Sequence, residues 1–176
     1  MKKILFLLFS IIILSAGSVF AYINPRWGYF PLNVYIEPHS KKALVEKAFS
    51  TWQSESGIAK FRYVTSEKYY PNIVVKFADK NPNQKGSNFE NAVGLAYSYT
   101  PLGFYAKATI TIYLTSPGGG TPLSDNQIYG IALHEIGHAM GLGHSPINTD
   151  IMSPIEHGQT SLSQNDIERF KLIYTP

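Results

Sequence analysis

The chain has 176 residues, 44% apolar and 14% aromatic, with 15 basic and 12 acidic side chains and no cysteine. That length and composition suit one globular domain with its own core, and the lack of cysteine excludes a disulfide framework and thiolate metal ligands. Two of the basic residues, Lys2 and Lys3, belong to the amino-terminal segment, so the remainder is near neutral and carries no basic stripe for nucleic acid.

In chain order, Lys2 and Lys3 precede an apolar run from Ile4 to Leu14, and Val19-Phe20-Ala21 offers a cleavage site. This pattern predicts a secretory leader over residues 1–21, cut after Ala21, and a single domain over residues 22–176. An uncleaved membrane anchor is the alternative, but the apolar run is short for a span. After cleavage no stable membrane anchor is expected, and the product is secreted, extracellular or periplasmic.

Leu32, Val34 and Ile36 alternate as a half-buried strand. Leu44, Val45, Ala48, Phe49 and Trp52 recur at helical spacing and predict an amphipathic helix over Lys41 to Ser54, with Gly57 beyond its end. Phe61 to Val64 and Ile73 to Phe77 are β-rich. Asp79 to Asn91 is polar, contains Pro82 and Gly86, and reads as a loop. Val93 to Tyr99 and Ala108 to Leu114 predict two more strands.

Ser116 to Pro122 holds three glycines and two prolines and reads as a flexible connector. Ser124 and Gln127 form a capping box that opens a helix running to about Met140. Gly137 inside that helix disfavours it by roughly 1 kcal/mol against alanine; close packing beside a bound group is one reason, simple tolerance the other. Ser163 caps a last helix to about Leu172. This order of strands and helices predicts an α/β or α+β fold, a twisted mixed sheet packed on helices.

Residues 134–144 carry the chemistry: His-Glu-Ile-Gly-His-Ala-Met-Gly-Leu-Gly-His. His134 and His138 are four apart, so on a helix they stack on one face and can chelate one ion. A third ligand must return from another direction. Gly141 permits that turn, because glycine reaches left-handed backbone angles without a side-chain clash, and His144 then completes the set. Three neutral imidazoles leave a fourth position open, the mark of a catalytic zinc site. Glu135, beside the first ligand, is placed to act as general base and then general acid in a hydrolysis whose electrophile is polarised by the metal.

The motif His134, Glu135, His138, Gly141, His144 resembles that of the metzincin metallopeptidases. Ser145 after the third histidine resembles the matrixin branch. Asp150-Ile151-Met152-Ser153-Pro154 resembles the family's Met-turn, which implies that Met152 lies beneath the zinc without ligating it; an ordinary core methionine would play nearly the same physical role. Leu162 to Ile167 with Leu172-Ile173-Tyr174 is similar to the family's closing helix. Trp27, the strand Leu32 to Ile36 and the helix ending near Trp52 are similar to its amino-terminal half.

The resemblance implies a sheet-and-helix upper part, a small lower part beginning after Gly141, and an active cleft between them. Val93 to Tyr97 is similar to the strand along which substrate lies, which makes Leu95, Ala96 and Tyr97 candidate substrate-binding residues; an ordinary buried strand is the plainer reading. An edge strand can take an extended peptide through main-chain hydrogen bonds. Pro154 to Thr160 would wall the specificity pocket.

Departures from the family pattern carry their own expectations. Asp79 to Asn91 contains no histidine, and Tyr97 stands where the family places a ligand, so one catalytic zinc and no second, structural zinc is expected. Thr115 to Gly120 replaces the acidic run that typically binds calcium, which makes calcium doubtful. Asn165 stands where matrixins usually have the first of two aspartates. Asp166 fits the second and either braces the Met-turn or is simply a helix-start acid. No cysteine-switch propeptide lies between Ala21 and Trp27. His39 and His157 read as surface residues, His157 with a possible place at the cleft border.

The expected function is a secreted zinc endopeptidase acting on extended peptides or proteins as a monomer. The competing readings are a non-catalytic secreted module that binds peptide or metal on the same fold, and a zinc hydrolase of non-peptide amides. A module that only binds has no need of Glu135, and an edge strand favours peptides.

Overall fold

The computed structural model describes residues 25–82, 93–99, 104–117, 120–155 and 158–175. The expected leader over residues 1–21, most of the polar loop before Asn91, and His157 lie outside the described residues.

Five strands form one mixed sheet: β1 (Leu32–Ile36), β2 (Phe61–Tyr63), β3 (Ile73–Ala78), β4 (Gly94–Tyr99) and β5 (Lys107–Tyr113), in the spatial order β2-β1-β3-β5-β4. The first four in that order run parallel, and β4 runs antiparallel to β5 at the end of the sheet. Parallel neighbours need crossover connections, and α1 (Lys42–Ser56) supplies the one between β1 and β2. The fold class is therefore the one the sequence predicts.

The periodicities explain which faces are buried. In β1, Leu32, Val34 and Ile36 point inward, and in β5 Ala108, Ile110 and Ile112 do the same, each at most 3% exposed. Helix α1 buries Val45, Ala48, Phe49 and Trp52 and stops where Gly57 takes a left-handed φ of 68°. Helix α2 (Asp125–Ala139) packs on α1 and on β4 and β5, and buries Ile128, Leu133 and Ile136. It starts at a complete capping box, with Ser124 Oγ accepting from the Gln127 backbone N–H and the Gln127 side chain accepting from Ser124 N–H. Helix α3 (Gln164–Tyr174) has the same device at Ser163, with Asp166 as its acidic partner.

Two indole N–H groups tie the core to α2. Trp52 Nε1 donates to Leu133 O and Trp27 Nε1 to Ala139 O, both at 2.9 Å. A buried indole needs such an acceptor, and the two carbonyls lie on the helix that carries His134 and His138. Tyr174 Oη donates to Met140 O at 2.8 Å, so α3 holds the end of the same helix.

Three local readings differ from expectation. A 3₁₀ turn at Glu67–Tyr69, capped by Ser66, precedes β3. The expected flexible connector is pinned at its ends: Thr115 bridges Pro122, and Ser116 N–H donates to Thr121 O at 2.8 Å. His39 is half-buried, its Nδ1 accepting from Lys41 N–H at 3.1 Å and its ring stacked on Phe77 with centroids 4.4 Å apart.

Candidate metal centre

Helix α2 presents His134 and His138 one turn apart, with ring centroids 4.5 Å from each other. The helix ends at Met140, and Gly141 turns the chain with a left-handed φ of 99°. A Cβ there would also lie 2.5 Å from Pro25 O, so glycine is required by the turn and by the approach of the amino-terminal segment. The chain then brings His144 back, its ring 4.7 Å from His138 and 5.3 Å from His134.

One nitrogen from each of the three rings lies within 4.8 Å of the other two. His138 Nε2 and His144 Nε2 face each other at 3.1 Å. Two imidazole nitrogens bound tetrahedrally to one zinc stand roughly 3.3 Å apart, from a zinc–nitrogen distance of about 2.0–2.1 Å.

The far sides of two rings are anchored. His134 Nδ1 donates to Ile151 O at 2.7 Å and His138 Nδ1 to Leu142 O at 2.8 Å. Carbonyls only accept, so both protons sit on Nδ1 and both Nε2 lone pairs face the common point. Burial lowers the His134 pKa below the ordinary imidazole value, and burial together with the neighbouring His134 pushes His138 down to about 4. Burial, then the Arg169 charge, lowers His144 as well. All three rings are thus neutral near pH 7, the form that ligates. The donor set, spacing and tautomers fit zinc.

Glu135 is 6% exposed, and burial alone pushes its carboxyl up to about 8. A divalent cation beside it would favour the ionised form and bring that value down. Its side chain lies against the start of β4: a Cβ on Gly94 would come within 2.6 Å of Glu135 Cγ and Oε1. Gly94 leaves room for the carboxylate, a role the sequence reading missed although a glycine in a strand is a signal of close approach.

Met152 is fully buried beneath α2. A Cβ on Gly137 would collide with Met152 Sδ and lie 3.2 Å from both Met152 Cε and Trp52 Cζ2. Of the two readings of Gly137, close packing is therefore the one observed. The turn that carries Met152 is held by Asp166, which accepts from Ile151 N–H at 2.8 Å and Met152 N–H at 3.3 Å. Asp166 also accepts from Ser163 N–H at 2.9 Å. The two readings of Asp166, brace and helix-start acid, both hold.

Asn165 donates to Asp150 Oδ2 at 2.6 Å, and Ser145 and Ser163 donate to the same buried carboxylate at 2.5 and 2.7 Å. Burial alone would raise the Asp150 pKa; the three hydrogen bonds and the Arg169 charge outweigh it and hold the carboxyl below its ordinary value.

Leu95, Ala96 and Tyr97 lie on β4, whose only strand partner among the described residues is β5. Leu95 and Ala96 are half-buried and Tyr97 is 59% exposed, so the strand is not an ordinary buried one. Its first residue, Gly94, lies against Glu135.

The sequence profile of the matrixin family matches residues 26–175. The chain is 29% identical over 171 residues to matrix metalloproteinase-25 of Mus musculus, covering 90% of this chain and 27% of that protein. It is 29% identical over 165 residues to interstitial collagenase of Oryctolagus cuniculus, covering 87% and 34%. It is 30% identical over 164 residues to metalloendoproteinase 1 of Glycine max, covering 85% and 53%. The chain thus spans about a quarter to a half of the length of these relatives. With the profile matched from Arg26 to Thr175 and the three imidazoles converging within that span, the chain belongs to the matrixin family.

Proposed function

We propose that this chain is a secreted zinc endopeptidase that hydrolyses extended peptides. His134, His138 and His144 hold one zinc. When bound, the zinc supplies Lewis acidity, which acidifies water and polarises a carbonyl. The chain's own residues do the rest. Glu135 takes a proton from the attacking water at its carboxylate and delivers it to the leaving amine. The apolar surroundings that raise the Glu135 pKa also make it a better proton acceptor once it is ionised beside a cation. Met152 supports the two helical ligands from below, through its contact with Gly137.

The main chain of Leu95, Ala96 and Tyr97 pairs with a peptide laid along β4. Hydrogen bonds to a sheet edge ask little of sequence, so selection falls to the walls of a cleft between the sheet and the segment after Gly141. Residues 1–21 direct export and are removed, leaving residues 22–176 as one catalytic domain. Compartment follows from that leader: secreted, extracellular or periplasmic.

The observation that carries the reading is the convergence of three neutral imidazoles, two of them anchored on α2, beside a buried carboxylate on that helix. That carboxylate also separates catalysis from metal storage, since no step of binding uses it. The test is zinc stoichiometry and cleavage of an unstructured protein, measured for wild type and Glu135→Ala. We expect one zinc per chain in both and activity lost in the variant by at least about a hundredfold, the low end for a positioned general base. Equal activity would remove Glu135 from the mechanism, and absence of zinc would remove the hydrolase.

A further inference from the structure

We propose that Arg169, on α3, is the positioning residue for His144, an assignment that rests on the zinc reading above. The three imidazoles are not held alike. His134 and His138 ride on α2, and each ring is locked by its own Nδ1–H bond to a carbonyl. His144 lies on irregular chain, is exposed, and among the described residues its Nδ1 has no acceptor. A ring lacking that second anchor is the weakest of the three.

The segment is packed at Leu142 and Ser145, both buried, but not at Gly143. Gly141 and Gly143 both precede His144, and nothing lies within 4 Å of where a Cβ of Gly143 would sit. Glycine there brings backbone freedom with no neighbour to restrain it. Two contacts fix the backbone instead. Ser145 N–H donates to Met152 O at 2.8 Å, just beyond the ligand. On the near side, Arg169 Nη2 donates to Gly143 O at 2.9 Å and His144 O at 3.1 Å, spanning the ligand's own peptide group and the one before it.

The guanidinium is well placed to transmit rigidity. Its helix is anchored by the Ser163 capping box and by Phe170, which is fully buried next to Arg169. Both bonds leave one nitrogen, Nη2, whose two hydrogens are fixed in the guanidinium plane, unlike those of a freely rotating ammonium. The arrangement also leaves Arg169 Nη1 buried with no hydrogen-bond partner among the described residues. An unsatisfied buried donor is a cost that fold stability alone does not explain; a ligand held in register does.

The sign of the effect makes the test decisive. A cation near a zinc site repels the metal, so if Arg169 acted only through its charge, its removal would tighten zinc binding. If it positions His144, removal weakens binding. Zinc Kd is measured by chelator competition at fixed pH for the full chain, Arg169→Met and Arg169→Gln, alongside urea unfolding of the metal-free proteins. We expect Kd to rise about tenfold or more in Arg169→Met, in line with the loss of other outer-sphere supports of metal ligands, and by a similar factor in Arg169→Gln, whose shorter side chain loses the same two bonds. Cobalt-substituted Arg169→Met should lose the visible absorption intensity of a four-coordinate site.

An unchanged or lower Kd overturns the assignment, as does lower metal-free stability with unchanged Kd, which would make Arg169 only a tie between α3 and the chain. If Arg169→Met does not fold, Arg169→Gln is judged by the same criteria. Failure of the wild-type chain to bind zinc would instead sink the hydrolase reading, and this one with it.

Discussion

An alanine in place of a glycine inside a helix normally strengthens it by about 1 kcal/mol. At Gly137 we predict the reverse. The added methyl would meet Met152 Sδ and press on Trp52, both in a fully buried layer, and overpacking of that kind costs about 1–3 kcal/mol. Gly137→Ala should therefore lower the unfolding free energy of the metal-free protein in urea; a stabilised variant would show that the layer beneath α2 yields freely. The single residue types were legible in the sequence wherever their chemistry is local. Three histidines, a glutamate and a turn glycine announce themselves by spacing, because the spacing is the geometry. Gly94 and Arg169 carry no such signature. One is a glycine among fourteen and the other a basic residue on a helix, and each acquires its role only from what lies opposite.

At the level of elements, α3 is a brace for the turn that carries Met152. Asp166 accepts from three backbone N–H groups, two of them in the Met152 turn. Hydrogen bonds to a charged acceptor contribute about 1.5–3 kcal/mol each and do not add fully. Asp166→Ala should therefore lose about 3 kcal/mol of stability. The same turn carries Ile151 O, the acceptor that orients His134, so the variant should also bind zinc more weakly. Chelator competition and urea unfolding together check this; lost stability with undiminished zinc affinity would uncouple the brace from the ligand.

Helix starts were legible because Ser124 and Ser163 cap them through residues three positions away. The 3₁₀ turn at Glu67–Tyr69 was not, since three residues have no period to detect. The connector after β5 was read as flexible from its glycines and prolines, whereas its ends are stapled by backbone bonds that composition does not encode.

On the scale of the whole molecule, the segment after Gly141 and α3 are joined through one buried carboxylate. Asp150 accepts from Ser145, Ser163 and Asn165. Its folded pKa lies below the model-peptide value of 3.8, so the folded state binds fewer protons there than the unfolded chain. The stability this contributes is fully present above that value and is lost as pH falls through the lower, folded one. We predict that the unfolding free energy of wild type minus that of Asp150→Asn, both metal-free, is constant from about pH 5 to 7 and shrinks below pH 3.8. A difference that stays level through that range would mean the charge plays no part.

The sequence by itself determined the elements that are built from near neighbours: the two histidines on one helical face, the turn at Gly141, the capping box at Ser124, the cap at Ser163 and the alternating inward residues of β1. These depend on bonds and contacts within a few positions along the chain, so pattern and geometry are the same thing. Only the tertiary structure decided the strand order, the fit of Glu135 against Gly94, the choice of Asn165 and two serines as partners for Asp150, and the reach of Arg169 to the carbonyl of His144. Each of those joins groups whose separation along the chain says nothing about their separation in space. Packing of the common core brings them within a few ångströms, and no local signal precedes it.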